Sequence, residues 1–391
     1  IEGTVLAPPS KSVMVRVTAA ALLADRTRIL NPSHCDDARS CLRVIEDLGA
    51  RVCADGDALA IEGGLQPRAS VLDCGESGLT LRMFIAVAAL AGEELTLTGR
   101  APLRRRPTTA VETPLRALGA AGETTGGFPP VRVHGPLRGG EAVVDGGESS
   151  QFLSGLLLAL PCAEGDSLLE ARDITSRPYV ELTLELLRRF GLRIDRDGPD
   201  RFRIPGGQRP RIGDFRVEGD WSAAASLLVL GAVGGSLRVR GLDPDSLQAD
   251  RAVLEVLESA GARVERLEDG ARVEQGPLRA FEFDARDAPD LVPCLAALAC
   301  HCRGTSVLTG LTRLKYKECD RTAIVTRELS GLGVRVESDG ETLRVRGGTI
   351  AGGSGCSHGD HRIAMALAAA AVAARETVFI DGVEHVAKSY P

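Results

Sequence analysis

One phrase returns five times along this chain: a helix that ends in Gly and runs straight into a strand. It reads Leu48-Gly49-Ala50-Arg51-Val52, Leu118-Gly119-Ala120, Phe190-Gly191-Leu192-Arg193-Ile194, Ala260-Gly261-Ala262-Arg263-Val264 and Leu332-Gly333-Val334-Arg335-Val336. The glycines stand 70, 72, 70 and 72 residues apart. Gly just past a helix accepts the left-handed conformation that closes the last turn, so each one marks a helix C-terminus. Solenoid repeats are shorter, roughly 20–45 residues, and this period suits a whole subdomain instead.

A second phrase recurs with a similar period. A polar or small cluster opens a nearly all-apolar helix near Ser10, Ser77, Ser149, Asp220, Asp287 and Asp360, as in Val17 to Ala24 or Leu291 to Ala299. A helix apolar on every side is a buried helix. Short alternating segments such as Arg344-Val345-Arg346 read as strands between the helices. Each repeat therefore contains strands, one buried helix and one half-exposed helix, and the last repeat is cut short. Grouped three and three, the repeats predict an α/β chain of two similar domains. Glu218-Gly219-Asp220-Trp221 opens the fourth buried helix and puts the crossover near Gly219. The expected domains are residues 10–219, and residues 220–391 together with the strand 1–9.

Composition narrows the function. A net charge of −6 gives no broad basic face, which argues against nucleic acid as the main partner. No leading stretch reads as a signal peptide, and the longest apolar run, Ile363 to Ala374, is too short to span a bilayer. The ten Cys are scattered without disulfide-framework spacing, which suits a reducing cytoplasm. Cys300-His301-Cys302 is their one tight cluster, and it reads as small buried residues ending an apolar helix. Of 47 basic residues only Lys11, Lys315, Lys317 and Lys388 are lysines. In a chain that uses Arg for every generic positive charge, a surviving Lys is a candidate for work that needs a compact, titratable amine. Lys315 is the exception, expected to be plain surface.

The openings of the buried helices point to anions. A helix N-terminus offers free N–H groups and about half a positive charge. Ser10, Lys11 and Ser12 open the first, Ser77 and Gly78 the second with Arg82 one turn in, and Ser149, Ser150 and Gln151 the third. His361 and Arg362 open the last, after Gly352-Gly353-Ser354-Gly355. Ordinary N-capping explains any one of these. Lys or Arg at three of them, with Arg104-Arg105-Arg106-Pro107 besides, favours an anion site. Asp290, at a helix opening, and Glu318, between Lys317 and Asp320-Arg321, are carboxylates among cations. Spacing alone leaves both open between ion-pair partner and proton-transfer group.

Together these phrases resemble the EPSP synthase (3-phosphoshikimate 1-carboxyvinyltransferase) family over essentially the whole chain. The resemblance rests on Pro9-Ser10-Lys11-Ser12 with Arg16, on Gly78 with Arg82, and on Arg106-Pro107. It rests further on Ser149-Ser150-Gln151, Ser176-Arg177-Pro178-Tyr179, Lys317-Glu318-Cys319-Asp320-Arg321, Asp360-His361-Arg362 and Lys388, all in the family's order. It implies an inside-out α/β barrel architecture: two domains of three βαβαββ units around buried helices, joined by two crossovers, with a cleft that closes on substrate. The implied reaction joins shikimate 3-phosphate to the enolpyruvyl group of phosphoenolpyruvate and releases phosphate, with no metal and no organic cofactor.

Carried over residue by residue, the resemblance implies that Ser149, Ser150, Ser176 and Lys317 hold the shikimate phosphate. Ser12, Arg16 and Tyr179 would hold the rest of that molecule. Lys11, Gly78, Arg106, Arg321, His361, Arg362 and Lys388 would take phosphoenolpyruvate, with Lys11 and Gln151 touching both ligands. Asp290 would contact the shikimate ring and take the proton of its 5-hydroxyl. Glu318, with Lys11 and Lys388, would serve the proton transfers and the leaving phosphate. Glyphosate is the implied inhibitor, and a cytoplasmic monomer without nucleic-acid or membrane partners is expected. Two positions depart from the family pattern: Glu76 stands where many members carry Asn, and Arg313 near where many carry another Asn. The sister enolpyruvyl transferase acting on UDP-N-acetylglucosamine is the nearest alternative. It typically carries a reactive Cys in the loop matching Gly99 to Thr109, where this chain has none. A non-catalytic anion-binding module with the same repeats is the alternative from another class.

Overall fold

The computed structural model describes residues 1–390. The chain divides into two compact units, Pro9–Val217 and Glu218–Pro391 with Ile1–Pro8. The first contains α1 (Lys11–Leu23), α2 (Asp36–Asp47), α3 (Gly78–Ala88), α4 (Ala101–Arg104), α5 (Glu112–Ala117), α6 (Ser150–Ala159) and α7 (Arg177–Arg189). The second contains α8 (Trp221–Gly234), α9 (Val253–Ser259), α10 (Val292–Cys300), α11 (Arg321–Gly331) and α12 (His361–Ala371).

The recurring glycines act as the helix ends require. Gly49, Gly119, Gly191, Gly261 and Gly333 have φ of 117°, 86°, 79°, 94° and 87°. The residue after each returns its N–H to a carbonyl five residues back: Ala50 to Ile45, Ala120 to Leu115, Leu192 to Leu187, Ala262 to Leu257 and Val334 to Leu329, at 2.9–3.1 Å. The same closure therefore ends α2, α5, α7, α9 and α11 and aims the chain into a strand.

The all-apolar helices α1, α3, α6, α8, α10 and α12 are buried, as their composition demands. Every residue of α3 is buried, and so is every residue of α10. α1, α3 and α6 belong to the core of the first unit, and α8, α10 and α12 to that of the second. Ser10, Ser77, Ser149, Asp220 and Asp360 each accept a backbone N–H from the helix that follows. The fifth buried helix corrects the sequence reading. It does not begin near Asp287 but opens through a 3-10 turn, Pro289–Leu291, with Leu291 N–H donating to Ala288 O at 3.2 Å. Pro289 and Pro293 lack the N–H that an earlier capped start would use, so the entry tightens and places Asp290 inside the turn.

Each repeat packs its strands on one plan. In the second repeat, Val71–Asp73 runs parallel to Glu94–Thr98, which pairs antiparallel with Phe128–His134, and Ala121–Thr125 closes the edge. Four other four-stranded sheets repeat this order, and the last repeat has a pair, Gly353–Cys356 with Val378–Asp381. Period-two burial, as in Ser236–Arg240, turns one face of each sheet to the helices. Two edge strands are exchanged along the chain. Glu2–Leu6 lies parallel to Ser236–Arg240 in the second unit, and Gly213–Arg216 lies parallel to Thr27–Leu30 in the first. No helix among the described residues is long and apolar enough to cross a membrane.

Candidate active site

The site residues expected from the sequence fall into two constellations, one in each unit. In the second unit the openings of α10, α11 and α12 bring one ion cluster together, in which Arg321, Asp360 and Arg362 are buried and Asp290, Lys317 and Glu318 are half-buried. Arg321, the first residue of α11, is 1% exposed. Its guanidinium reaches three carboxylates: Nη1 to Asp290 Oδ1 at 2.7 Å, Nη2 to Glu318 Oε2 at 2.7 Å, and Nε to Asp360 Oδ2 at 2.7 Å. Asp360 also caps α12 by accepting Arg362 N–H at 2.9 Å. One residue thus fixes a helix start and a guanidinium plane at once.

Asp290 is the other centre of this cluster. Its Oδ1 accepts from Lys317 Nζ at 3.1 Å as well as from Arg321, and its Oδ2 accepts from Arg362 Nη2 at 3.2 Å. Burial pushes this carboxyl up, but Arg362, Lys317 and Arg321 outweigh it and hold Asp290 well below the usual carboxylate range. Burial pulls the Lys317 amine down against the attraction of Asp290. Arg321 is held well above its ordinary value, because Asp360, Glu318 and Asp290 outweigh its own desolvation. Arg313 lies in the 3-10 turn Thr312–Tyr316, where burial lowers it although Asp290 and Asp287 oppose the shift, and its Nη2 donates to Arg286 O at 2.8 Å.

His361 is 1% exposed, with Nδ1 3.6 Å from Asp360 Oδ1. Lys388 is buried at the end of the 3-10 turn Val383–Lys388, whereas Lys315 is exposed, as expected. Cys319 Sγ lies 3.7 Å from Asp360 Oδ2, and burial raises its thiol out of the reactive range. Cys300 and Cys302 at the end of α10 donate to carbonyls of their own helix. That is the structural role expected of them.

The first unit gathers the remaining residues around α1, α3, α6 and α7. Lys11 Nζ pairs with Asp37 Oδ2 at 3.1 Å. Arg16 donates through Nε to Thr183 Oγ1 at 2.8 Å, through Nη1 to Ser12 O at 2.9 Å and through Nη2 to Tyr179 O at 3.2 Å. These bonds pin α1 to α7 and leave two guanidinium N–H groups unused by them. Burial lowers Arg16 to about 10, although Tyr179 opposes the shift. Arg82 Nη1 donates to Gln151 Oε1 at 3.0 Å and Nη2 to Pro107 O at 2.8 Å, with Glu148 Oε1 at 3.7 Å. Of the arginine triplet only Arg106 is buried; Arg104 and Arg105 are exposed. A Cβ on Gly78 would lie 2.7 Å from Arg106 Nη1 and 3.3 Å from Arg82 Nη1.

Ser149 caps α6 by accepting Gln151 N–H at 3.2 Å, and Ser150 is buried in its first turn. Ser176 precedes α7 with φ 50° and ψ 44°. A left-handed Ser is costly and persists where the surroundings impose it, which is common at ligand sites. Asp37, Thr183 and Asp360 were not among the expected site residues, although each contacts one that was, and neither was Arg82, which holds Gln151 and pairs with Glu148. Asp360 had a signal, since it directly precedes His361-Arg362, and so had Arg82, one turn into α3. Asp37 and Thr183 depend on which helices become neighbours.

The comparisons agree along the whole length. The family model for EPSP synthase (3-phosphoshikimate 1-carboxyvinyltransferase) matches residues 1–391. A 3-phosphoshikimate 1-carboxyvinyltransferase of Aeropyrum pernix is 42% identical over 394 residues, covering 100% of this chain and 91% of its own. One of Methanopyrus kandleri is 41% identical over 406 residues, covering 100% and 94%. Among solved structures, an EPSP synthase of Acinetobacter baumannii superposes with a TM-score of 0.82 at 29% identity, over 100% of this chain and 93% of its own. Matched over its whole length by the family model and by relatives at 42% and 41% identity, the chain belongs to the EPSP synthase family.

Proposed function

We propose that this chain transfers the enolpyruvyl group of phosphoenolpyruvate to the 5-hydroxyl of shikimate 3-phosphate and releases phosphate. The observation that carries this reading is the cluster in which Asp290 and Glu318 share the guanidinium of Arg321, with Lys317 and Arg362 on the same carboxylate as Arg321. Pure anion binding has no use for two carboxylates among its cations. Addition followed by elimination needs a base for the hydroxyl, an acid for the methylene carbon and cations for the leaving phosphate.

In this reading Asp290 takes the hydroxyl proton as oxygen bonds to C2, and Glu318 with Lys388 delivers a proton to the methylene. The tetrahedral intermediate then expels phosphate toward Lys11, Arg106, Arg321, Arg362 and Lys388. His361, Gly78 and Gln151 complete the contacts to phosphoenolpyruvate. Lys317, Ser149, Ser150 and Ser176 take the shikimate phosphate, and Ser12, Arg16 and Tyr179 the rest of that molecule. We place the enzyme in the cytoplasm on its scattered thiols.

A phosphate-release assay with each acceptor tests the reading. Release is expected with shikimate 3-phosphate and without added metal; turnover with UDP-N-acetylglucosamine instead sinks it. The lysines give a finer test. Lys11→Arg and Lys388→Arg keep the charge but lose the compact amine, and each is expected to lose at least about 10²-fold in kcat/KM. Exposed Lys315→Arg should match wild type. Equal behaviour of all three in steady-state assays would remove the special role of lysine.

Gly78→Ala tests the phosphoenolpyruvate side. Its methyl would lie 2.7 Å from Arg106 Nη1 and 3.3 Å from Arg82 Nη1, so both guanidinium ends must give way. Glyphosate, the longer molecule, should lose more affinity than phosphoenolpyruvate when this approach is crowded. Competition titrations of wild type against Gly78→Ala measure the two factors, and equal losses would show that Gly78 does not discriminate.

A further inference from the structure

Asp290 occupies the cations that the substrates need. Three of the groups assigned to ligand phosphates and carboxylate are Lys317, Arg321 and Arg362. All three bond to this one side chain, at 3.1, 2.7 and 3.2 Å. Both carboxylate oxygens are used, Oδ1 twice and Oδ2 once. A lone pair committed to a cation is poorly available to a substrate proton. Lys317, Arg321 and Arg362 are each already paired with a carboxylate of the cluster, Asp290, Glu318 or Asp360. Phosphoenolpyruvate and a phosphorylated acceptor bring several more negative charges that must compete for these same cations.

We propose that Asp290 is a resident anion that holds the ligand-gripping cations in the free protein, and that the substrates' own anionic groups release it as a base by taking those cations over. The step rests on the reading above. The acceptor's O–H bond breaks, its proton goes to a freed Asp290 oxygen, and its oxygen electrons form the new bond to C2. The C2–C3 π electrons meanwhile take a proton from the acid. In the elimination the C2–O bond breaks with its electron pair leaving on phosphate, the C3–H electrons restore the C2–C3 double bond, and the C3 proton returns to the acid's conjugate base, so no oxidant or further reactant is needed. With the cations in place the carboxyl is held low and is a poor base. The charged groups facing it are Lys317, Arg321 and Glu318 beside α11, Arg362 from α12, and Arg313 from the turn Thr312–Tyr316. Loss of Lys317, Arg321 and Arg362 to a ligand leaves burial and Glu318, which both raise its proton affinity, against Arg313 alone. The base would therefore switch on only over an occupied site, and water would not be activated in its place.

Sulfate is the probe, because its charge is constant across the range of carboxylate titration. Asp290→Asn and Asp290→Ser remove the resident anion, and either should bind sulfate at least about tenfold more tightly than wild type at fixed ionic strength. Glu318→Gln takes a carboxylate from Arg321 but leaves Asp290 on all three cations, so its gain should stay below about threefold. Unchanged or weaker binding in the Asp290 variants, or an equal gain in Glu318→Gln, overturns the proposal. Wild type with 13C-labelled aspartate carboxyls gives a readout that needs no variant to fold. Saturating sulfate should raise the titration midpoint of one resonance by about one pH unit or more, and no such resonance overturns the proposal. Sulfate binding requires no turnover. Failure to release phosphate with shikimate 3-phosphate would therefore remove the functional reading separately, whereas normal turnover without tighter binding in the variants removes this inference alone.

Discussion

Asp290→Asn is expected to lower kcat by about 10²–10⁴, the usual worth of a positioned acid or base, while both substrates still bind. The amide keeps the size of the carboxylate but loses both its capacity to take a proton and the charge that holds Lys317, Arg321 and Arg362, so anion binding should tighten while the chemistry stalls. Binding survives because it relies on Lys317, Arg321, Arg362 and the serine hydroxyls, all of which remain. Steady-state kinetics with titrations of each substrate separate the two effects, and a loss in kcat below about tenfold would count against proton transfer by Asp290. Glu318→Gln should leave binding intact as well, while slowing the entry of solvent deuterium into the methylene carbon. Unchanged deuterium entry would take Glu318 out of that role.

Arg321→Met is expected to destabilise the second unit by about 3–5 kcal/mol, besides removing activity. Arg321 is 1% exposed and bonds three carboxylates, of which Asp360 is fully buried. Methionine fills most of the volume but leaves buried negative charge without its partner. Arg321→Lys should rescue little, since one ammonium cannot present a planar fork to three acceptors. The sign of the pH dependence follows from Asp290, whose folded-state pKa is held well below the usual range. Such a group contributes stability above its unfolded pKa, about 3.9, and the contribution is lost as pH falls through the folded value. The variant lacks part of this depression. The gap between wild type and Arg321→Met in denaturation midpoint should therefore be widest near neutral pH and narrow in acid. A gap that widens on acidification would contradict the ion-cluster account.

Much of this was legible before any coordinate. Gly49, Gly119, Gly191, Gly261 and Gly333 announced helix ends because only a left-handed residue closes that turn. The all-apolar segments announced buried helices because no other environment suits them. Asp287 misled because a polar residue ahead of an apolar run looks like a cap, while Pro289 and Pro293 forced a tighter entry. Pairings across the fold were not legible. Lys11 with Asp37, Arg16 with Thr183 and Arg82 with Glu148 are set by which helices pack together, and no local spacing encodes that. The chemistry of Asp290 stayed open for the same reason. Its neighbours Lys317, Arg321 and Arg362 lie up to 72 residues away along the chain.

The central claim is enolpyruvyl transfer to shikimate 3-phosphate, and the most direct measurement is the product itself. Nuclear magnetic resonance of a reaction of shikimate 3-phosphate with phosphoenolpyruvate in heavy water should show phosphate and an enol ether at the 5-oxygen in equal amounts. The ether's methylene should carry deuterium. Phosphate released with pyruvate and no ether, or an ether formed only with UDP-N-acetylglucosamine, would contradict it.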